Sequence, residues 1–147
     1  MDCVNVIDQA VSERYALYNG DSAEILKSIP DSSVHYSIFS PPFASLYTYS
    51  NSERDLGNCR TTAEFYEQFK FIVDELFRVL IPGRLISFHC MDLPLSKERD
   101  GVIGLRDFRG ELIKLFEDSG FVQGVLIISV YSKKIYAQIY KRFAKNH

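Results

Sequence analysis

The sequence predicts an α/β fold in which a largely parallel sheet is flanked by helices, and three observations carry that expectation. Apolar, β-rich runs alternate with stretches whose apolar residues recur at helical spacing. Gly, Pro, Asp or Ser marks each change of period. No linker, internal repeat or low-complexity stretch divides the 147 residues, so residues 1–147 read as a single domain.

The first strand-like run is YALYN at 15–19. Gly20-Asp21-Ser22 ends it, and Asp21 or Ser22 can cap the helix SAEILKSI, because a short side-chain oxygen can accept from the free N–H groups of a first helical turn. Pro30-Asp31-Ser32-Ser33 is a turn cluster. Residues 34–39 are apolar and β-rich and predict a buried strand. Ser40-Pro41-Pro42-Phe43 stops that strand, since neither proline can donate to a ladder. A loop rich in Tyr and Ser runs to about Arg60. Thr61 or Thr62 then opens a long helix with Phe65, Phe69, Ile72, Val73, Leu76 and Leu80 on one stripe, and Pro82-Gly83 is expected to end it. LISFHC at 85–90 is the next strand, and 91–105 read as a loop rich in charge and glycine. Leu112, Ile113, Leu115 and Phe116 mark another amphipathic helix, closed by Gly120. A last long strand is expected at 121–131. Ile135, Tyr136, Ile139, Tyr140 and Phe143 suggest a short terminal helix. Strands alternating with helices are what right-handed, parallel crossovers produce.

Composition narrows the function classes. With 46 % hydrophobic and 24 % charged residues, the chain is globular rather than disordered or fibrous, and long enough to bury a core. A net charge of −2 argues against holding nucleic acid by bulk electrostatics, so any such contact must be local or supplied by another segment. The charge is uneven: no acidic residue follows Asp118, whereas Lys133, Lys134, Lys141, Arg142 and Lys145 do. That basic end reads as a solvated surface or as a nucleic-acid contact. Cys3, Cys59 and Cys90 lie far apart and none belongs to a C-x-x-C pair, so neither a metal site nor a disulfide framework is expected. Cys90 reads as a small buried hydrophobe. The start MDCVNVIDQAVSER lacks the apolar core of a signal peptide, and no apolar run approaches the roughly 20 residues of a membrane span. A cytoplasmic protein without a membrane partner is the expectation.

The corner Ser40-Pro41-Pro42-Phe43 is the sharpest chemical feature. In doubly wound sheets, ligands sit beyond the carboxyl ends of the strands. Two prolines stiffen such a corner and leave backbone carbonyls without a ladder partner. Ser40 adds a hydroxyl and Phe43 a flat apolar face, so the four residues could grip a planar group that bears an amine. Read alone, the same residues could be only a strand terminator and a core phenylalanine.

In its setting the corner resembles the amino-methylating DNA methyltransferases, which act on N4 of cytosine or N6 of adenine. Their hallmark is Asp, Asn or Ser, then Pro-Pro, then Tyr, Phe or Trp, at the end of a buried strand, and SIFSPPF fits it. The preceding YNGDSAEILKSIPDSSVHYSIF fits the family order of strand, Gly-Asp, short helix and turn. After the corner come a polar loop, a long helix, the turn LIPGR and the strand LISFHC, as in that family. The resemblance covers roughly residues 15–120 and implies a Rossmann-like methyltransferase sheet, present in part.

The resemblance implies roles for particular residues. Ser40 and the Pro41 carbonyl would orient the exocyclic amine of a flipped base, Pro42 would stiffen the corner, and Phe43 would stack on the ring. The co-substrate would be S-adenosylmethionine, with no metal and no covalent enzyme intermediate. Ser in the first motif position leans towards cytosine N4. Asp21 matches the position beside the adenosine of the donor, a role compatible with capping a helix. His89 could line the donor site or be a satisfied core-edge histidine, and Asp92 could cap a helix or face the cleft. Tyr47 and Tyr49 could stack with bases, and Arg54 and Arg60 could meet phosphates.

The family pattern breaks at the donor-binding hallmark F-x-G-x-G, which is absent. Gly101, Gly104 and Gly110 do not follow a strand in that pattern, and FVQGV has one glycine. The chain is therefore expected to be the catalytic-motif half of such an enzyme, as a truncated or split form that binds donor weakly on its own. Its expected partners are duplex DNA with a flipped base, and a missing C-terminal half or a second copy covering an exposed edge. The alternative is a non-catalytic remnant or partner subunit. A protein or RNA amino-methyltransferase is disfavoured, because about 14 residues before the first strand leave no room for a glycine loop. Cytosine C5 methylation is disfavoured because no cysteine is placed as its nucleophile.

Overall fold

A computed structural model describes residues 6–44, 51 and 55–124. Strands β1 (Asp8–Val11) and β2 (Ala16–Asn19) form an antiparallel hairpin, with Asp8 opposite Asn19 and Val11 opposite Ala16. The Ser12 N–H donates to the Tyr15 carbonyl at 2.8 Å, and its hydroxyl accepts from the Arg14 N–H at 3.2 Å. The stretch at 15–19 was expected as a lone strand; its partner DQAV has no period-2 pattern, and the pairing comes from this turn chemistry.

Helix α1 (Ser22–Lys27) starts at Asp21, whose carboxylate accepts from the Ala23 N–H at 2.9 Å. Then come β3 (Val34–Phe39), the long helix α2 (Thr62–Val79) and β4 (Leu80–Phe88). A 3-10 turn at Leu56–Asn58 precedes α2. Thr61 caps α2 by accepting from the Glu64 N–H, and the Glu64 carboxylate accepts back from the N–H of Arg60, the residue before the cap, so a first-turn donor and the entry to the helix are both held. β3 and β4 pair in parallel with Tyr36 opposite Leu85 and Phe39 opposite Phe88, so α2 lies in the crossover that the alternation predicted.

The end of α2 differs from expectation. The helix stops at Val79, and Leu80 is already extended (φ −73°, ψ 135°) and opens β4. Ile81 precedes a proline, which disfavours the helical region. Pro82 and Gly83 therefore sit inside the strand rather than after the helix. Val34 faces Leu80 while Tyr36 faces Leu85, so residues 81–84 form a bulge, with Gly83 at φ 78°.

Beyond β4, the stretch expected as a loop contains β5 (Leu93–Leu95), a single helical turn α3 (Lys97–Asp100) and β6 (Gly104–Arg106). β5 and β6 pair antiparallel, Leu93 opposite Arg106. Strands of three residues, one of them Pro94, are too short to carry a period, which explains why they escaped the pattern. Helix α4 (Phe108–Asp118) follows, capped by Asp107. Gly120 ends it at φ 100°, where a β-carbon would lie 3.0 Å from the Phe77 ring.

α2 and α4 cover one face of the β3–β4 pair. Phe39 lies 6.4 Å from Phe69, 6.3 Å from Phe88 and 6.4 Å from Phe116, and Phe88 stacks on Phe116 at 5.1 Å. Phe65, Phe69, Val73 and Leu76 of the expected stripe are buried; Ile72 is half-buried, and Leu80 is buried from β4 instead. Burying each large apolar side chain contributes roughly 1.5–3 kcal/mol, so this aromatic cluster is the main source of stability. Arg78 ties α1 to α2: its guanidinium donates to the Leu26 and Ile29 carbonyls at 2.9 Å each, and pairs with Glu75 and Asp31.

Cys59 is buried and Cys90 is half-buried against the core. Among residues 121–124 no strand forms. The rest of the expected last strand, the terminal helix, the basic residues after 132 and Cys3 lie outside the described residues. No helix among the described residues is long and apolar enough to cross a membrane.

Candidate active site

Phe39, the last residue of β3, is wedged into the aromatic core, so the residue after it leaves from a fixed point. Past the strand ends the parallel pairing continues for one step: the His89 N–H donates to the Phe39 carbonyl at 2.9 Å. The Ser40 hydroxyl donates to the His89 carbonyl at 3.0 Å. With its one proton committed there, the Ser40 oxygen faces any ligand as an acceptor. Pro41 is buried and Pro42 half-buried, and neither has an N–H to extend the ladder. No backbone N–H among the described residues donates to the Pro41 carbonyl.

A groove of about 400 Å³ opens between α1, the end of β3 and α2. Gly20, Ser22, Ser40, Pro41 and Pro42 line it together with apolar side chains of α1 and α2, including Leu26 and Ile72. That volume lies within the range of small-molecule sites. The fold thus brings the turn after β2 to the corner after β3, two segments about 20 residues apart.

The residues assigned to the corner and the donor site take different positions. Ser40, Pro41 and Pro42 are in the groove wall. Phe43 does not line it and is half-buried against the core cluster. Asp21 caps α1, while its neighbours Gly20 and Ser22 line the groove. The sequence reading missed those two, although the tightness of the Gly20-Asp21-Ser22 turn was the available signal. His89 is exposed, so the reading as a satisfied core-edge histidine does not hold: it lies past the end of β4, where no element among the described residues covers it. Its backbone, rather than its ring, meets Ser40.

Asp92 follows closely, half-buried, with Oδ1 fully enclosed and without a hydrogen-bond partner among the described residues. Such an oxygen is costly unless a donor reaches it. Burial pushes the Cys90 thiol above the usual range, and the Asp92 charge adds to the effect. Burial, then Glu64 and Asp55, does the same to Cys59. Both thiols are held in their neutral form, which is unfavourable for nucleophilic catalysis.

A second cavity, of about 170 Å³, contains Arg60, Arg99, Arg106 and Ala44, the residue that follows Phe43. Of these arginines only Arg60 had been marked. Tyr47, Tyr49 and Arg54 lie outside the described residues. Among the described residues no cluster of His, Cys, Asp or Glu could hold a metal ion.

The fold has solved counterparts. A candidate DNA modification methylase from Thermus thermophilus, complexed with S-adenosyl-L-methionine, is similar with a TM-score of 0.55 at 22 % identity, over 75 % of this chain and 47 % of that one. Another structure of that protein gives 0.54 at 22 % identity over the same shares. The chain has the methyltransferase fold, in part. It spans about half the length of those structures. The PvuII DNA methyltransferase, cytosine-N4-specific, is similar at a TM-score of 0.46 and 26 % identity, over 69 % of this chain and 33 % of that one. No protein-family model matches the chain, and no curated protein matches it.

Proposed function

We propose that this chain is the base-binding half of a DNA amino-methyltransferase, acting on N4 of cytosine or N6 of adenine. In this reading residues 1–147 are one incomplete catalytic domain, working in a truncated or split form. The observation that carries the proposal is the corner itself. Ser40 commits its proton to the His89 carbonyl and leaves an acceptor beside the Pro41 carbonyl, to which no backbone N–H of the described residues donates, at the end of a parallel strand and on the wall of a groove.

An exocyclic amine on a nucleobase is a poor nucleophile because its lone pair is shared with the ring. Two acceptors aimed at its two protons favour a pyramidal nitrogen and release that lone pair. The Ser40 oxygen and the Pro41 carbonyl are suited to this, and Phe43, packed against the core cluster, would cover the ring of the base by turning out of it. Duplex DNA must first give up the base, because its amine is out of reach in the stack. Orientation and electrostatics then carry most of the rate. The raised Cys59 and Cys90 thiols fit a route without a cysteine adduct.

The residues present fit part of a donor site. The groove has room for a small ligand, and its wall includes Ser22 and Ser40 beside apolar side chains. S-adenosylmethionine, when bound, supplies an electrophilic methyl group. Asp21 and His89 would stand on either side of the corner, Asp21 through the turn it holds and His89 by fixing Ser40. The face of β3–β4 that α2 and α4 leave bare would receive the missing half or a second copy. A non-catalytic partner subunit is the second reading, favoured by the absence of F-x-G-x-G from the sequence.

The test is methyl transfer to long unmethylated duplex DNA, by the chain alone and together with a segment that carries the glycine loop. The expected result is activity only in combination, abolished by Pro41→Ala and strongly reduced by Phe43→Ala. Tight binding of S-adenosylmethionine by the chain alone would show that the glycine loop is dispensable. Inactivity in every combination would favour the partner-subunit reading.

A further inference from the structure

We propose that the cavity lined by Arg60, Arg99 and Arg106 receives a backbone phosphate of the DNA strand whose base enters the Ser40 corner. The choice of DNA as the source of that phosphate rests on the methyltransferase reading. At about 170 Å³ the cavity falls below the usual size of a site for a whole small molecule and suits a compact group. Three guanidinium groups and one carboxylate, Asp100, line it, while Glu111 pairs with Arg106 and Glu64 stands beside Arg60 outside the lining. The surface that faces the cavity is thus richer in guanidinium than in carboxylate, in a chain whose net charge is −2.

Two of the arginines are held in place before any ligand arrives. Arg106 donates through Nε to both oxygens of Glu111 at 2.9 Å and through Nη1 to the Thr62 hydroxyl at 2.6 Å. Arg99 donates through Nε to Asp100 at 3.1–3.2 Å and through Nη2 to the Pro94 carbonyl at 2.8 Å. A guanidinium has five N–H groups, so each retains donors in the fork geometry that matches a phosphate. Fixing these side chains in advance lowers the entropy lost on binding.

Arg60 is the complement. It is exposed, its backbone N–H serves Glu64, and its guanidinium has no partner among the described residues. Thr61 and Thr62, also in the lining, open the 18-residue helix α2, whose amino end adds positive potential.

Position connects this cavity to the base. Ala44 is buried in its wall, directly after Phe43, and turns there through φ 45°. Residues 40–42 line the groove and residue 44 lines the arginine cavity, so one short segment borders both. A flipped nucleotide needs such a pair of sites, because base contacts choose it and phosphate contacts set its register.

The experiment is fluorescence anisotropy of the 147-residue chain with a labelled duplex carrying one mismatched base, followed across salt concentrations. Binding at low salt is expected. Arg60→Gln should reduce the slope of log affinity against log salt by about 0.9, the value for one lost phosphate contact. Phe43→Ala should leave that slope unchanged and remove the preference for mismatched over matched duplex. An unchanged slope in Arg60→Gln, or no duplex binding by the wild-type chain, overturns the phosphate site. Competition by inorganic phosphate with an unchanged slope would mark a free-anion pocket and also overturns it. If the Arg60 arm fails while the Phe43 arm holds, the phosphate site falls and the methyltransferase reading stands. The reverse outcome keeps the phosphate contact and removes the base-binding role.

Discussion

On one face of the β3–β4 pair, Phe39, Ile86 and Phe88 lie against the cluster that holds Phe69 and Phe116. On the other, Tyr36 is 51 %, Ile38 73 % and Leu85 68 % exposed, and the Tyr36 hydroxyl bonds Ser87 at 2.8 Å. Both faces of the same two strands are apolar, yet among the described residues only one is covered. Parallel strands are ordinarily buried on both sides. The packed face explains how the chain holds the Ser40 corner in place. The bare face explains why a partner would be needed to complete the domain in the proposed function.

Substitutions on the two faces should separate these roles. Phe69→Ala removes a buried ring from the packed face and should cost about 3–5 kcal/mol, read from urea unfolding. Ile38→Ser on the bare face should change stability by less than about 0.5 kcal/mol. A large cost for Ile38→Ser would mean that this face is covered after all. A smaller loss than that of Phe69→Ala is expected for Arg78→Ala, about 2 kcal/mol. It breaks charged hydrogen bonds to the Leu26 and Ile29 carbonyls and frees α1 from α2, so the groove should loosen with it. Gly120→Ala should cost about 1 kcal/mol or more, because alanine at φ 100° is strained and its β-carbon meets Phe77.

The smallest effect concerns acid stability. The Lys70 ammonium holds the Asp74 carboxyl below its usual range. A lowered folded value stabilises the protein above the ordinary carboxylate pKa, and that contribution fades as pH falls through the lowered value. Lys70→Met should remove about 0.3–0.5 kcal/mol at neutral pH and nothing below both values, measured by unfolding across pH. Equal losses at both ends of the range would show that Lys70 acts through packing.

The comparison also shows where the sequence was legible. The α2 stripe, its Thr61 cap, the Gly120 stop and the parallel order of β3 and β4 are written as period and punctuation, and the structure has them. The two hairpins are written in single bonds: Ser12 closes one, and Asp100 accepting from the Ser96 N–H at 2.7 Å braces the other. Such bonds leave no period to read. Arg99 and Arg106 escaped for that reason, since the second hairpin brings them beside Arg60. Pro82-Gly83 was read as a helix stop because a bulge and a stop use the same residues. In the groove, Ser40, Pro41 and Pro42 were plain from their motif, whereas Gly20 and Ser22 became visible only once α1 had been placed against α2.

In the proposed reaction Ser40 and Pro41 present two acceptors to an exocyclic amine. Its most direct test is the identity of the methylated nucleoside. The complemented chain should be given duplex DNA and labelled S-adenosylmethionine, and the digested DNA resolved by mass spectrometry. Label is expected in N4-methylcytosine or N6-methyladenine, with strong loss in Ser40→Ala, which removes one acceptor, and further loss in Pro41→Ala, which frees the backbone that aims the other. Label in 5-methylcytosine, or amine methylation that survives Pro41→Ala and Ser40→Ala undiminished, would contradict it.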